Sequence, residues 1–390
     1  MQFAIEHRDA GSQARAGVLH LAHGDVRTPA FVPLATKGTV KTLLPAEVAA
    51  LGYDIVLGNT FHLMLEPGPE VVAAHGGLHG FMGWPGPIVT DSGGFQVFSM
   101  GHGTVADEIK GRASQGAERE GAILAIEEEG VRFRSYTDGG ERFLSPEGSM
   151  EVQAALGSDI ALAFDECTPF NVSRDYTATS TERTHRWLRR CLDWHAEHGP
   201  PGQAVYGIVQ GGVHEDLRRA SAQAVAASGC EGIAIGGSLG ENKAQMHEVV
   251  GWATEELPED RPRHLLGIGE IDDLIRGVEL GIDTFDCAMP TRIARHGMAL
   301  VPEPEARWRV NLLNGRFRDD LEPILAGCSC PACAGGLSRA YLRHLVRQRE
   351  LTGLRLLTLH NLTFVAGVME RLRTAVAAGT LGEAAAALRN

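Results

Sequence analysis

Eight short apolar runs punctuate the chain up to residue 290, and each ends on a glycine or a polar group. They read FVPLATKG (31–38), DIVLGNT (54–60), PIVTDSGG (87–94), IALAFDEC (160–167), AVYGIVQGG (204–212), GIAIGGS (232–238), HLLGIGE (264–270) and DTFDCAMP (283–290). Apolar runs of this length without alternation suit strands buried on both faces, as in a parallel sheet. Helix-like segments intervene, among them SPEGSMEVQAALG (145–157), HEDLRRASAQAVAAS (214–228) and EIDDLIRGVELG (270–281). The first opens Ser-Pro-Glu, a helix start with proline in its first turn. Eight strands alternating with helices is the count of an α/β protein built as a (β/α)8 TIM barrel. A doubly wound sheet is the structural alternative. The barrel is expected over residues 1–300.

After about residue 300 the strand rhythm stops, and a cysteine cluster and basic helices begin. Residues 287–390 hold 14 Arg and no Lys against 8 acids, a balance of +6. The whole chain carries −13, so residues 1–286 carry −13 − 6 = −19. An acidic body with an arginine-only tail points to planar recognition of phosphates or base edges, although a solvated helical surface has the same composition. Residues 301–390 are therefore expected to form a subdomain docked on the barrel. Residues 101–121, polar and glycine-rich, are expected to be a mobile surface insertion. No run approaches 18 consecutive apolar residues, so no transmembrane helix is expected, and the first residues lack a secretory pattern. Seven cysteines in 390 residues argue against a disulfide framework, and a cytoplasmic location is expected.

In such a barrel, functional groups gather at the C-terminal ends of the strands. Those ends supply Asp91, Asp165, Gln210, Gly236 with Gly237, Gly269 and Asp286. Singly, each Asp is as well placed to cap a helix as to catalyse. Together, two carboxylates facing a sugar-bearing substrate permit attack at an anomeric carbon plus proton transfer. Carboxylates and an amide also match the hydrogen-bonding edges of a purine, and the Gly-Gly turn of DSGGFQ lets a ligand approach the backbone. In the tail, Cys328, Cys330 and Cys333 form a C-x-C-x2-C knuckle that one further ligand would complete as a tetrahedral zinc site. His360 is the best candidate, with His344 the alternative. Three Cys and one His leave no open position, so such a site is structural.

With these residues in view, the chain resembles bacterial queuine tRNA-ribosyltransferases (tRNA-guanine transglycosylases) from about residue 3 to 375. The matching pieces are GNTFHL (58–63), DSGGFQVFS (91–99), FDEC ending at 167, GIVQGG (207–212), FDC-x2-PTR (285–292) and the cysteine knuckle with a distant His. The resemblance implies exchange of guanine at the tRNA wobble position for 7-aminomethyl-7-deazaguanine, on the way to queuosine. It implies Asp286 as nucleophile on the ribose and Asp91 as the acid/base for the leaving or entering base. Ser92, Gly93, Gly94, Phe95, Asp165, Gln210, Gly237 and Leu266 are implied around the base. Gly267, Ile268, Gly269, Glu270, Ile271, Asp272 and Asp273, with Thr291, Arg292, Ile293, Ala294 and Arg295, are implied on the RNA. Cys328, Cys330, Cys333 and His360 match the family's zinc ligands, one Zn2+ per chain, and bacterial members are usually homodimers.

The chain departs from the family pattern in places. The base-sensing loop is GGSLGE (236–241), one residue shorter than the common form, and Leu266 stands where the family has Met. Glu270 replaces a frequent basic residue, and the 101–121 insertion is longer than usual. Competing readings are a barrel glycosidase or deaminase on small molecules, and a non-catalytic tRNA-binding paralogue. A zinc deaminase needs its metal ligands at the rim, a glycosidase has no use for the basic appendage, and a dead paralogue would have lost Asp91 or Asp286.

Overall fold

The computed structural model describes residues 1–101 and 123–389. Its central sheet has eight parallel strands: β1 (Ala30–Val32), β2 (Val56–Gly58), β3 (Ile88–Thr90), β4 (Ile160–Leu162), β5 (Ala204–Val209), β6 (Gly232–Ile235), β7 (Arg263–Leu265) and β8 (Thr284–Asp286). They follow one another in the order β1-β8-β7-β6-β5-β4-β3-β2. The two ends meet through a parallel Leu34–Leu57 bridge, with Leu57 N–H on the Pro33 carbonyl at 3.0 Å and Ala35 N–H on the Leu57 carbonyl at 2.7 Å. This is the expected (β/α)8 barrel; a doubly wound sheet would reverse strand order at its centre.

Short strands suffice because the barrel interior is filled by side chains. Leu57, Val89, Ile160, Leu162, Tyr206, Ile208 and Ala234 occupy it, joined by Leu19 and Val26. The last two come from an N-terminal antiparallel sheet of Gln2–Arg8, Arg15–Leu21 and Gly24–Thr28, which closes the barrel's N-terminal end. Arg15 fastens it there through a fully buried ion pair with Asp283 at 2.6 Å. His23, at the tip of its hairpin, stacks on His79, and both rings face the buried Asp159 carboxylate. Parallel rings 3.6 Å apart cannot aim both lone pairs at one ion, so the trio serves as a clasp.

Between β3 and β4 the helix Gly94–Gly101 precedes another antiparallel sheet, Ile123–Ile126, Val131–Arg134 and Glu141–Leu144. All but Gly101 of the expected 101–121 insertion lies outside the described residues.

Past β8, Met298–Leu300 pairs with Arg309–Asn311, and helices Pro331–Ala334, Arg339–Arg347, Leu351–Ala378 and Leu381–Arg389 follow. Leu312, Phe317, Ile324, Leu342 and Leu357 form a separate apolar cluster around the cysteines. Leu359, Leu362, Val365, Met369 and Leu372, on the same long helix, belong to the barrel's core. Leu351–Ala378 is long and apolar enough to cross a membrane by composition, but its apolar length goes to these two cores.

Candidate active site

A cleft of about 780 Å³ opens at the C-terminal strand ends, lined by Asp91, Phe95, Asp165, Gly237, Leu266 and Asp286 among others. Asp91 follows β3. Its Oδ1 accepts the Thr60 N–H at 2.8 Å, its Oδ2 accepts the Asn59 side-chain amide, and Thr60 Oγ1 donates back to the Asp91 carbonyl. Asn59 also caps the helix Thr60–Leu65, so β2's end and Asp91 are built as one unit. Burial raises the Asp91 pKa to about 7, the charge of Asp286 adds to the rise, and donors from Thr60, Gln96 and Gly93 oppose it. A carboxyl in that range exchanges a proton readily at neutral pH.

Asp286 closes β8. Its Oδ1 accepts the Gly267 N–H at 3.1 Å and meets His264 Nε2 at 3.0 Å. His264 Nδ1 in turn lies 2.8 Å from Thr284 Oγ1, its register partner on the neighbouring strand. Among the described residues both side-chain contacts go to Oδ1, which leaves Oδ2 for a ligand.

Of the residues expected around a base, Ser92, Phe95, Asp165, Gly237 and Leu266 line the cleft, whereas Gly93, Gly94 and Gln210 do not. Asp165 accepts from Ser92 Oγ at 2.8 Å and from Gln210 Nε2 at 2.6 Å, and burial lifts its pKa to about 6 against those two donors. Gln210 is buried behind Asp165 and does not line the cleft. Gly94 must be glycine, since a Cβ there would sit 2.6 Å from the Asp165 carbonyl oxygen. Gly237 has φ +77°, and a side chain there would strike Gln210. Gly93 also has positive φ, shaping the turn that brings Ser92 to Asp165. Phe95 stands 38% exposed on the rim, and half-buried Leu266 forms part of the wall.

The segments expected to touch RNA divide by burial. Gly267 and Arg292 are exposed; Ile268, Glu270, Asp272 and Arg295 are half-buried. Gly269, Ile271, Asp273, Thr291, Ile293 and Ala294 are buried. The acids here are paired internally: Glu270 with Arg309 at 2.6 Å and Arg307 at 3.7 Å, Asp272 and Asp273 with Lys243 at 3.2 and 3.3 Å. The loop after β1 adds exposed Lys37 and Lys41, which the sequence reading missed. Partial burial and the charges of Arg295 and Lys37 pull the Lys41 ammonium below its usual value. Asn59, Thr60 and His264 were also missed as functional groups. The signal for the first two was GNTFHL, and for His264 a polar residue inside an apolar strand.

Cys328, Cys330, Cys333 and His360 come together, with His360 Nδ1 3.8, 3.4 and 3.5 Å from the three sulfurs in that order. Metal–sulfur and metal–nitrogen bonds of ordinary length at tetrahedral angles require sulfur–nitrogen separations of about 3.6 Å. The donor set therefore fits a metal ion. His360 Nε2 lies 2.8 Å from the Leu300 carbonyl, a contact that fixes the proton on Nε2 and presents the Nδ1 lone pair to the ion. His344, the alternative ligand, is exposed on its helix and outside the cluster.

A family model described as queuine tRNA-ribosyltransferase matches residues 9–390. Three relatives bear that same name. The protein of Roseiflexus sp. (strain RS-1) is 51% identical over 388 residues, covering 97% of this chain and 96% of the relative. That of Symbiobacterium thermophilum is 48% identical over 384 residues, covering 98% and 89%. That of Pelotomaculum thermopropionicum is 46% identical over 382 residues, covering 98% and 96%.

Proposed function

The chain belongs to the queuine tRNA-ribosyltransferase family, and from that premise we propose that it is a tRNA-guanine transglycosylase acting in queuosine synthesis. It exchanges guanine at the anticodon wobble position for 7-aminomethyl-7-deazaguanine. Asp286 Oδ2 attacks the ribose C1′, and the C1′–N9 bond breaks with its electron pair going to guanine. Asp91 supplies a proton to the leaving base. The incoming base then gives a proton to Asp91, its N9 attacks C1′, and the bond to Asp286 breaks. No net proton or electron is consumed. The observation that supports this most is the placement of two differently held carboxylates on one cleft: Asp286 with one oxygen unengaged among the described residues, Asp91 tuned to about 7. The decisive experiment incubates the protein with an anticodon stem-loop and looks for an RNA adduct on a denaturing gel. Absence of both an adduct and labelled-guanine exchange would refute the assignment.

Asp165, held by Gln210 from behind, and the Gly236–Gly237 backbone read the purine edge, with Phe95 against its face and Leu266 opposite. Residues 301–390 form an appendage whose arginines, with Lys37, Lys41, Arg292 and Arg295, meet the RNA backbone. Its Cys3His ion is zinc, held without an open position and hence structural. The protein acts as a homodimer in the cytoplasm.

A pH dependence follows from Asp91. Its pKa is raised to about 7, so the carboxyl is protonated below that pH and ionised above it. Release of guanine needs the acid form, so the single-turnover rate of adduct formation holds below pH 7 and falls tenfold per unit well above it. The Asp91→Asn protein should bind RNA normally, turn over poorly and lose this limb. An unchanged limb in that variant would remove Asp91 from the role.

Base choice is the further test. Cys167, buried at the cleft wall, keeps the cup small, and Glu241 offers a cationic 7-substituent a carboxylate. In competition on one tRNA, the aminomethyl base should be incorporated at least about tenfold faster than bulkier queuine, the penalty expected for overfilling a packed wall. Equal use of queuine would show that the shortened GGSLGE loop has opened the pocket.

A further inference from the structure

Behind the base cup, helix Glu215–Ala227 sends two neighbouring arginines in opposite directions. Arg219 lies outside, among Glu215, Glu255 and Glu256. Arg218 is completely buried and, among the described residues, its side chain meets no carboxylate. It donates only to backbone carbonyls: Nε to Gly212 at 2.7 Å, Nη1 to Val209 at 3.0 Å and Gly236 at 2.8 Å, and Nη2 to Ser238 at 2.9 Å. Leaving a guanidinium without a counter-charge in the interior is costly, and four acceptors offset that cost. Those acceptors belong to the last residue of β5 and to the rim segments after β5 and β6, which carry Gln210 and Gly237.

In a trans peptide the N–H points opposite to the C=O. With the Gly236 and Ser238 carbonyls turned to Arg218, the amides of Gly237 and Leu239 face away from it. Gly237 and Leu239 both line the cleft, and the Gly237 N–H reaches the thiol of Cys167, another lining residue. The carbonyls of Gly236 and Ser238 are thus withdrawn from a ligand.

We propose that Arg218 is the positioning residue that sets base selectivity, by holding residues 236–239 so that this wall offers amide donors and selects a base carrying a carbonyl acceptor. The role rests on the transglycosylase assignment. Lysine cannot substitute, because a single ammonium on a flexible stem cannot reach carbonyls of both segments as the planar fork does.

The test compares guanine with 2-aminopurine, which lacks the carbonyl oxygen and has a bare N1 in place of N1–H, a difference common to all three proteins, as ligands for the wild-type protein, Arg218→Lys and Arg218→Ala. Wild type should prefer guanine strongly. Both variants should lose about tenfold of that preference, the worth of one aligned hydrogen bond, through the KM for guanine, while adduct formation at saturating RNA stays within about threefold. Guanidinium ion should restore the preference in Arg218→Ala. Wild-type discrimination in a folded variant, or equal weakening for both bases, would overturn the proposal. Should Arg218→Ala fail to fold, Arg218→Lys carries the comparison. Calorimetric binding of the two bases requires no turnover, so it judges Arg218 even if wild type forms no adduct, a result that would instead refute the proposed reaction.

Discussion

An Asp286→Asn protein binds an anticodon stem-loop with little change and yields no RNA adduct on a denaturing gel, while base exchange falls by about 10⁴-fold or more, as when other covalent nucleophiles are removed. The amide keeps the shape of the carboxyl and still offers an oxygen to the Gly267 N–H, so the site should stay assembled. What disappears is the charge and lone-pair strength at the position of Oδ2, the oxygen that meets no partner among the described residues. A second readout is independent of RNA. The charge of Asp286 helps to raise Asp91, so its removal shifts the Asp91 titration downward from about 7. A loss of exchange without that shift would mean that the two groups do not share one cleft as closely as they appear. An adduct from the Asn protein would place the nucleophile elsewhere.

The barrel was legible because its strands are buried on both faces, which writes them as unbroken apolar runs such as AVYGIV at 204–209. The N-terminal sheet was not, because strands such as GDVRT alternate buried and exposed positions and resemble a polar hairpin when read alone. Asp91 and Asp286 could be picked out as acids ending apolar runs. Their different environments could not, since these depend on Asn59, Thr60, His264 and Gly267 arriving from other strands. Arg218 shows the limit most clearly: adjacent arginines in one helix look equivalent in sequence, and only the fold decides which is enclosed. The same limit applies to the basic tail. Its surplus charge was readable, but Arg309 is committed to Glu270, Arg339 to Asp320 and Arg373 to the Pro29 carbonyl and Glu370. Composition counts arginines without saying which remain for a phosphate.

Stripping the Cys3His ion, or replacing Cys330 by Ala, should remove stabilisation on the order of 10 kcal/mol from the appendage and leave the barrel folded. Cys330 and Cys333 sit inside the second apolar cluster, and the Cys330 sulfur also caps Pro331–Ala334 by accepting the Cys333 N–H at 3.4 Å. Without the ion, buried thiols face His360 with nothing to hold the knuckle closed. The damage should travel along two connections. His360 loses its orientation against the Leu300 carbonyl, and Leu300 belongs to the strand that follows the helix Met289–Ala294 carrying Arg292. The far half of the long helix is anchored separately in the barrel core and should remain. Hydrogen exchange should therefore accelerate over roughly residues 300–350, and RNA binding should weaken by about tenfold or more as arginines lose their positions. Binding of free guanine, which the proposed function places at the barrel rim, should change little. A metal-free protein with unchanged melting and full RNA affinity would show that the ion does not hold the appendage in place. Equal loss of guanine binding would show that the cluster supports the catalytic rim itself.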